Sequence, residues 1–411
     1  MDIAERSRLK GILTMAFSPS APVRSLDSFS GRDEQLHRIT EAVLQPGRHA
    51  VVYGERGVGK TSMANVLPEK LERLGRFEYQ VVRHNCSSTP AFRSMWEAVF
   101  REFSIKRQLA GSSPAPLLSY LPDDAGPEDV RLLLQQLGGT AVIFDEYDRV
   151  PKSFPISGLL ADTIKSLSDH AVDATIILIG VADSIDELMT EHLSIERAIV
   201  QIQLARMYEG EMLSILEKGF KQAEMEIDLD ARYDIAALSH GLPHNVHELG
   251  RLAGYAALDS GRTRATQDDV ETAIREAVKN AEHTVRSTYY SATSSSHQNN
   301  IYQQILLASA LSPTNDLGYF SAGDLREPLL AIAHKKYGID GYMKHLNSFC
   351  EESRGSVLEK RGERRRYRFR FTDPVMQPFV IMKGVADHLI TKAEVTEFQQ
   401  RYRAATPGSL F

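Results

Sequence analysis

An α/β fold with a parallel sheet, continued by an all-helical region and a small domain ending in a β-hairpin, is what this sequence predicts, and three observations carry the prediction. Five apolar runs alternate with helical patterns before about Tyr208. A glycine-rich run, "GERGVGKT", directly follows the first of them. After Tyr208 the β-branched runs stop and helical periodicity takes over, until an arginine-rich hairpin pattern appears near the C-terminus.

The first strand is "HAVVY", and Ser62 to Leu74 reads as the helix after it, with Ala64, Leu67 and Leu71 on one face and Pro68 as a bend. "FEYQVVRHN", "GTAVIFDEYD", "DATIILIGVAD" and "AIVQIQL" supply four more strands. Their near-continuous apolar character indicates a parallel sheet covered on both faces. "EGEMLSILEKGFKQAEM", "HNVHELGRLAGYAALDS" and "TQDDVETAIREAVKNAE" follow as helices. The polar stretch "RSTYYSATSSSHQNN" reads as a linker or a weakly held helix end. Beyond it "IYQQILLASAL", "SAGDLREPLLAIAHKK" and "DGYMKHLNSFCEES" read as three helices, and "GSVLEKRGERRRYRFRF" as a hairpin, the pattern of a winged helix. The expected organisation is therefore an αβα core at 1–207, a helical lid at 208–283, a linker at 284–300, a winged-helix domain at 301–390 and a solvent-facing helix and tail at 391–411.

Composition narrows the class. The 411 residues are 42% hydrophobic and 25% charged, and no apolar run approaches the roughly 20 residues that a bilayer span requires. No membrane association and a cytoplasmic location are the expectations. Cys86 and Cys350 give neither a disulfide framework nor metal-ligand spacing. A formal net charge of -6 excludes a uniformly basic protein while leaving room for a local basic patch.

The run Gly54, Glu55, Arg56, Gly57, Val58, Gly59, Lys60, Thr61 fits a phosphate-binding loop, with Ser62 continuing into the helix. Glycines let backbone N–H groups turn inward on an anion, Lys60 would reach the β- and γ-phosphates of ATP, and Thr61 would coordinate Mg²⁺. In "AVIFDEYD", Asp145 at the end of an apolar strand is the second metal-holding candidate, and Glu146 beside it the group that polarises water.

On these residues the chain resembles an AAA+ ATPase of the initiator clade, similar to origin-recognition ATPases and to the AAA+ regulators of transposon target choice. The resemblance is carried by "FSGR" (Phe29 to Arg32), "GERGVGKT", "HNC", "IFDEYD" and "GVADS", and covers roughly residues 15 to 280. It implies an AAA+ core with a helical lid and a C-terminal winged helix, ATP and Mg²⁺ as ligands, and a homo-oligomer joined across the nucleotide interface. It further implies Pro22, Val23 and Arg32 as base-side contacts and Asn85 as the residue restraining Glu146. At sensor 1 this chain has Asp183 where relatives usually carry Asn, so either Ser184 takes the role or Asp183 contacts the water. Arg197 falls where the resemblance places the arginine finger, which acts on ATP held by a neighbouring subunit. His244 stands where the lid arginine is expected, with Arg251 as an alternative.

Seven basic residues and two acids lie between Glu359 and Arg370. Arginines alternate with Tyr367, Phe369 and Phe371, so one strand face is aromatic and the other cationic. Arg361, Arg364, Arg366 and Arg368 are the candidate contacts to duplex DNA, with Lys344 on the preceding helix beside His345, Asn347 and Ser348, which are expected to face a groove. The expected function is an ATPase working as an oligomeric switch that binds DNA and controls an effector, transposase or replication protein. Its rival is a scaffold that holds nucleotide structurally and docks a protein through the winged helix.

Overall fold

The computed structural model describes residues 1–76, 79–88, 91–109, 117–151, 155–189, 195–295, 300–363 and 366–404. The chain forms two compact units: residues 22–55 with 59–205, and residues 1–21 with 56–58 and 206–411.

The first unit is built on five parallel strands, β1 (His49–Gly54), β2 (Gln80–Asn85), β3 (Thr140–Asp145), β4 (Ala174–Val181) and β5 (Ile199–Gln203), in the order β2-β3-β4-β1-β5. Every residue of β3 and all but the last of β4 are buried, as strands covered on both faces require. The helices of this unit are α2 (Asp33–Leu44), α3 (Lys60–Arg73), α4 (Phe92–Leu109), α5 (Pro127–Leu137), α6 (Ile156–Asp169) and the short α7 (Ile185–Leu188). Pro127 opens α5 where a missing N–H costs nothing, and the Asp129 carboxylate accepts the Gly126 N–H at 2.9 Å, which fixes the start of that helix. One apolar cluster joins Val51, Val82, Phe144 and Leu178 of the sheet to α4, α5 and α6. Trp96 is fully buried at its centre, its ring edge-on to Phe144 with centroids 5.3 Å apart. The strand order reverses at β1, so the glycine-rich loop leaves the sheet at the carboxyl edge where ligands bind open α/β sheets.

The second unit is helical, with two small sheets. Its elements are α1 (Ile3–Ala16), α8 (Glu209–Gln222), β6 (Glu226–Ile227), α9 (Leu229–Ser239), α10 (Pro243–Asp259), β7 (Arg264–Ala265), α11 (Gln267–Asn280), α12 (His283–Thr293), α13 (Tyr302–Leu311), β8 (Phe320–Ser321), α14 (Arg326–Ala333), α15 (Ile339–Ser348), β9 (Leu358–Arg361), β10 (Arg368–Phe371), α16 (Met376–Ala386) and α17 (Lys392–Ala404). β6 and β7 pair in parallel, while β8, β10 and β9 form an antiparallel sheet in that order behind α13, α14 and α15, the arrangement of a winged helix.

This division differs from the expected boundaries in three places. Residues 1–21 belong to the helical unit: Leu13 and Phe17 are fully buried, and a Cβ on Gly254 would lie 2.5 Å from Leu13 while one on Gly219 would lie 2.3 Å from Phe17. Small residues on α8 and α10 therefore make the notches that seat α1, helped by paired Arg8–Glu224 hydrogen bonds of 3.0 Å. The segment expected as a linker or a weakly held helix end is mostly α12, because Val285, Tyr289 and Ala292 recur at helical spacing and are buried. The segment expected to face solvent contains α17, which packs on α9 and buries Val395 and Phe398, with Lys392 3.5 Å from Asp234. In each case an apolar stripe lay inside a polar composition. Among the described residues no helix is long and apolar enough to cross a membrane.

Candidate nucleotide site and basic hairpin

The glycine-rich loop begins where β1 ends. A Cβ on Gly54 would sit 2.2 Å from the Leu204 carbonyl oxygen, so only glycine fits beside β5 there. Gly57 and Gly59 meet no such obstacle but have φ of 85° and 100°, so conformation is what demands glycine at these two positions. Lys60 opens α3, is buried, and donates to the Gly54 and Glu55 carbonyls at 2.9 and 2.8 Å. The ammonium is thus held over the loop that it would share with phosphates.

The Thr61 hydroxyl donates to Asp145 Oδ2 at 3.0 Å. Asp145 ends β3, is buried, and also accepts the Glu146 N–H at 2.9 Å through Oδ1. Two hard oxygen donors converge beside the loop, the chemistry that suits Mg²⁺ completed by phosphate and water oxygens. Among the described residues no group of three or more His, Cys, Asp or Glu side chains forms a metal cage of its own. Glu146 has φ 55° and its carboxylate is bonded to Arg149 at 2.7 Å within the same turn. Asn85 lies beside Asp145 in the β2–β3 register and is exposed. Asp183 is half-buried, its N–H donating to the Glu187 carboxylate at 2.7 Å, and Ser184 caps α7 in an extended conformation. Cys86 follows Asn85, and burial with the nearby acids pushes its thiol up to about 12, so it offers no thiolate at neutral pH.

Residues 28–193 match the family described as AAA ATPase domain. That segment is an AAA ATPase domain. The chain is similar in structure to the Walker-type ATPase of Pyrococcus abyssi, at 16% identity over 89% of this chain and 99% of that one, with a TM-score of 0.51. It is also similar to the Aeropyrum pernix ORC2 protein in ADPNP–ADP complexes (15% identity, 94% and 98% covered, TM-score 0.49) and to the Aeropyrum pernix ORC1 protein in complex with DNA (18%, 88% and 95%, TM-score 0.44). At 16% identity the first of these likenesses is one of fold. No curated protein matches the sequence.

Within the unit that carries the AAA ATPase domain, the residues expected on the base side divide. Pro22 is exposed, and Val23 is half-buried with its N–H bonded to Ser62 Oγ at 3.1 Å and its carbonyl to Asn65 Nδ2 at 3.1 Å. Arg32 is buried in a left-handed conformation, and its guanidinium donates to the Ala205 carbonyl, which anchors the start of α2 to the end of β5. Arg197 is exposed in the turn just before β5. Since Ile199 pairs with His49 and the loop begins at Gly54, Arg197 lies at the opposite end of the sheet from its own phosphate loop, about 16 Å away or more at ordinary strand rise. In the helical unit, His244 Nδ1 is 2.8 Å from the Pro19 carbonyl and Nε2 is 3.9 Å from Glu248, and Arg251 is half-buried two turns further along α10. Arg56, Gly57 and Val58 group with the helical unit.

Sequence reading missed Arg83 and Asn65. Arg83 Nη1 donates to Asn65 Oδ1 at 2.5 Å and lies 4.0 Å from Asp145 Oδ2. Two signals were present: Arg83 is a cation inside an apolar strand, and Asn65 lies four residues after Thr61, on the same face of α3.

In the winged helix, Phe369 and Phe371 are buried and Tyr367 is half-buried, as the alternation predicts. Arg361 faces Arg368 across the ladder, and Arg361, Arg366, Arg368 and Lys344 are exposed. Arg364 lies outside the described residues. Arg370 leaves the cationic row: its Nε bonds Glu359 at 2.6 Å and its guanidinium lies 4.5 Å from the centroid of the Tyr319 ring. His345 also departs from expectation. It is buried, its ring edge-on to Tyr302 with centroids 4.7 Å apart, because it follows Tyr342 by three residues on the core side of α15. Asn347 accepts from Lys360 at 2.9 Å and so ties α15 to β9.

Proposed function

We propose that the protein is an ATP-hydrolysing switch that assembles through neighbouring subunits, binds duplex DNA through its winged helix and uses nucleotide state to recruit or release a partner. The observation that carries the nucleotide reading is the 3.0 Å contact between Thr61 and Asp145 beside a loop whose glycines adopt positive φ. Thr61 and Asp145 would hold Mg²⁺, which when bound neutralises charge on the transferring phosphoryl oxygens. Lys60 exchanges two loop carbonyls for phosphate oxygens, and Glu146 accepts a proton from the attacking water once it leaves Arg149. Arg197, a sheet's length from its own loop, serves the loop of an adjacent copy. The exposed Arg361, Arg366, Arg368 and Lys344, with Arg364, lie along a phosphate backbone, and an effector, transposase or replication protein is the partner controlled.

One observation favours the scaffold reading: Glu146 is engaged by Arg149, a state that would hold nucleotide without cleaving it. Isothermal titration of ATP with Mg²⁺ tests the nucleotide reading. Lys60→Ala is expected to lower affinity roughly 100-fold, the equivalent of about 3 kcal/mol for a lost charge-assisted contact. Undiminished affinity in a folded Lys60→Ala protein would show that the loop does not hold phosphate.

A further inference from the structure

Four hydrogen-bonding side chains link the metal-side acid to the base-side backbone within the α/β unit. Thr61 bonds Asp145 Oδ2 at 3.0 Å, Ser62 accepts the Val23 N–H at 3.1 Å, Asn65 donates to the Val23 carbonyl at 3.1 Å, and Arg83 donates to Asn65 Oδ1 at 2.5 Å. The same Arg83 nitrogen lies 4.0 Å from the Asp145 oxygen that Thr61 holds. Arg83 stands two residues before Asn85 on β2, opposite Ile143, so its side chain runs along the sheet to the strand end where Asp145 sits.

The chemistry of these groups makes the connection directional. A guanidinium only donates, so Arg83 requires the oxygen of the Asn65 amide and thereby turns its NH₂ toward the Val23 carbonyl. The Asp145 side chain is 6% exposed, and the Arg83 guanidinium approaches it to 4.0 Å. A metal ion held by Asp145 would compete for that carboxylate and leave the guanidinium to Asn65.

We propose that Arg83 and Asn65 are positioning residues for the nucleotide, forming a relay through which occupation of Asp145 by metal and the placement of the Val23 backbone are linked. The relay rests on the nucleotide reading of the site. By reciprocity, metal at Asp145 firms the base-side backbone, and a base held there favours metal. Neither side chain takes part in bond breaking, so their loss is read in binding.

The probe is N-methylanthraniloyl-ADP, titrated by fluorescence with Mg²⁺ and with EDTA into the wild-type full chain and the variants Arg83→Met, Asn65→Ala and their double. Each single variant is expected to weaken binding about fivefold, the size of one net hydrogen bond. The double variant should bind no more weakly than the weaker single, because both act through one connection. The ratio of affinities with and without Mg²⁺ should change in Arg83→Met. Multiplication of the two effects to about 25-fold in the double, or wild-type binding and an unchanged Mg²⁺ ratio in folded single variants, overturns the relay. Should a variant fail to fold by circular dichroism, Asn65→Asp, which is isosteric and keeps the acceptor for Arg83 but loses the donor to Val23, carries the test: a fivefold loss supports the relay and wild-type affinity overturns it. Lys60→Ala separates the two levels, since wild-type binding there sinks the nucleotide site itself, whereas loss there with intact binding in the relay variants sinks the relay alone.

Discussion

In the α/β unit three charged side chains of the candidate site are held by neutral neighbours: Lys60 by loop carbonyls, Asp145 by Thr61, Arg83 by Asn65. In the helical unit two cations of the hairpin stand exposed, Arg366 ahead of β10 and Arg368 at its start, while Phe369 and Phe371 of that strand are buried. The first arrangement makes each group depend on its neighbours, so single changes there should have large and non-additive effects. The second leaves each cation to act through its own charge, so changes there should be modest, additive and sensitive to salt.

The largest effect is expected for Arg197→Ala, which should bind ATP normally and lose turnover by roughly 10³-fold or more. Mixing it with Lys60→Ala should restore some activity, because one protein supplies an intact loop and the other an intact arginine. No recovery from a mixture that still assembles would place the action of Arg197 within its own subunit, against the sheet register.

Glu146→Gln comes next. Turnover should fall about 10²-fold or more while ATP affinity is retained, since the amide cannot accept the proton from water. Single-turnover hydrolysis is the measurement, and wild-type rates would favour the scaffold reading. Such a result would also break the comparison, because a deeply interdependent site would then have no catalytic use.

At the exposed end, Arg366→Ala with Arg368→Ala should weaken binding to all duplex sequences alike and lower the log–log salt slope by about 1.8, at about 0.9 per phosphate contact. Fluorescence anisotropy across salt concentrations reads this directly. An unchanged slope in the folded protein would move the hairpin to protein docking.

The smallest effect is a pH dependence that both units share. Burial lowers His49 from 6.5 to about 3 in the α/β unit, where its ring nitrogen accepts the Ile176 N–H at 2.9 Å. Burial, followed by the neighbouring His244, lowers His247 from 6.5 to about 4 in the helical unit, where it packs on Phe17. Both rings stay neutral when folded and gain protons when unfolded below about 6.5, so the unfolded chain binds more protons and stability falls as pH drops from about 6.5 toward 4. His247→Met should remove up to one proton from that slope, measured by denaturant unfolding at several pH values. An unchanged slope would mean that His247 is protonated in the folded protein.

How much was legible beforehand follows the range of the interactions. The loop, the strands and the acid pair of β3 are local patterns, in which a few consecutive residues carry both the conformation and the chemistry. The docking of α1, α12 and α17 was not legible in that way. Each presents a sparse apolar stripe, Leu13 with Phe17, Val285 with Tyr289, and Val395 with Phe398, whose meaning depends on a distant surface shaped to receive it. The same limit hid Arg370 and His345, which joined Glu359 and Tyr302 and left the cationic surface.

By itself, then, the sequence determined the parallel sheet, the phosphate loop, the paired Asp145 and Glu146 and the alternation of the hairpin, because each is specified by spacing along one segment of chain. Tertiary structure alone decided which residues meet. Thr61 reaches Asp145 across 84 residues of sequence, Asn65 reaches Val23 across 42, and Arg83 comes near Asp145 because β2 lies beside β3 in register. Hydrogen bonds of about 3 Å tolerate little misplacement, and no periodicity in a single chain segment encodes where another segment will be held to that tolerance.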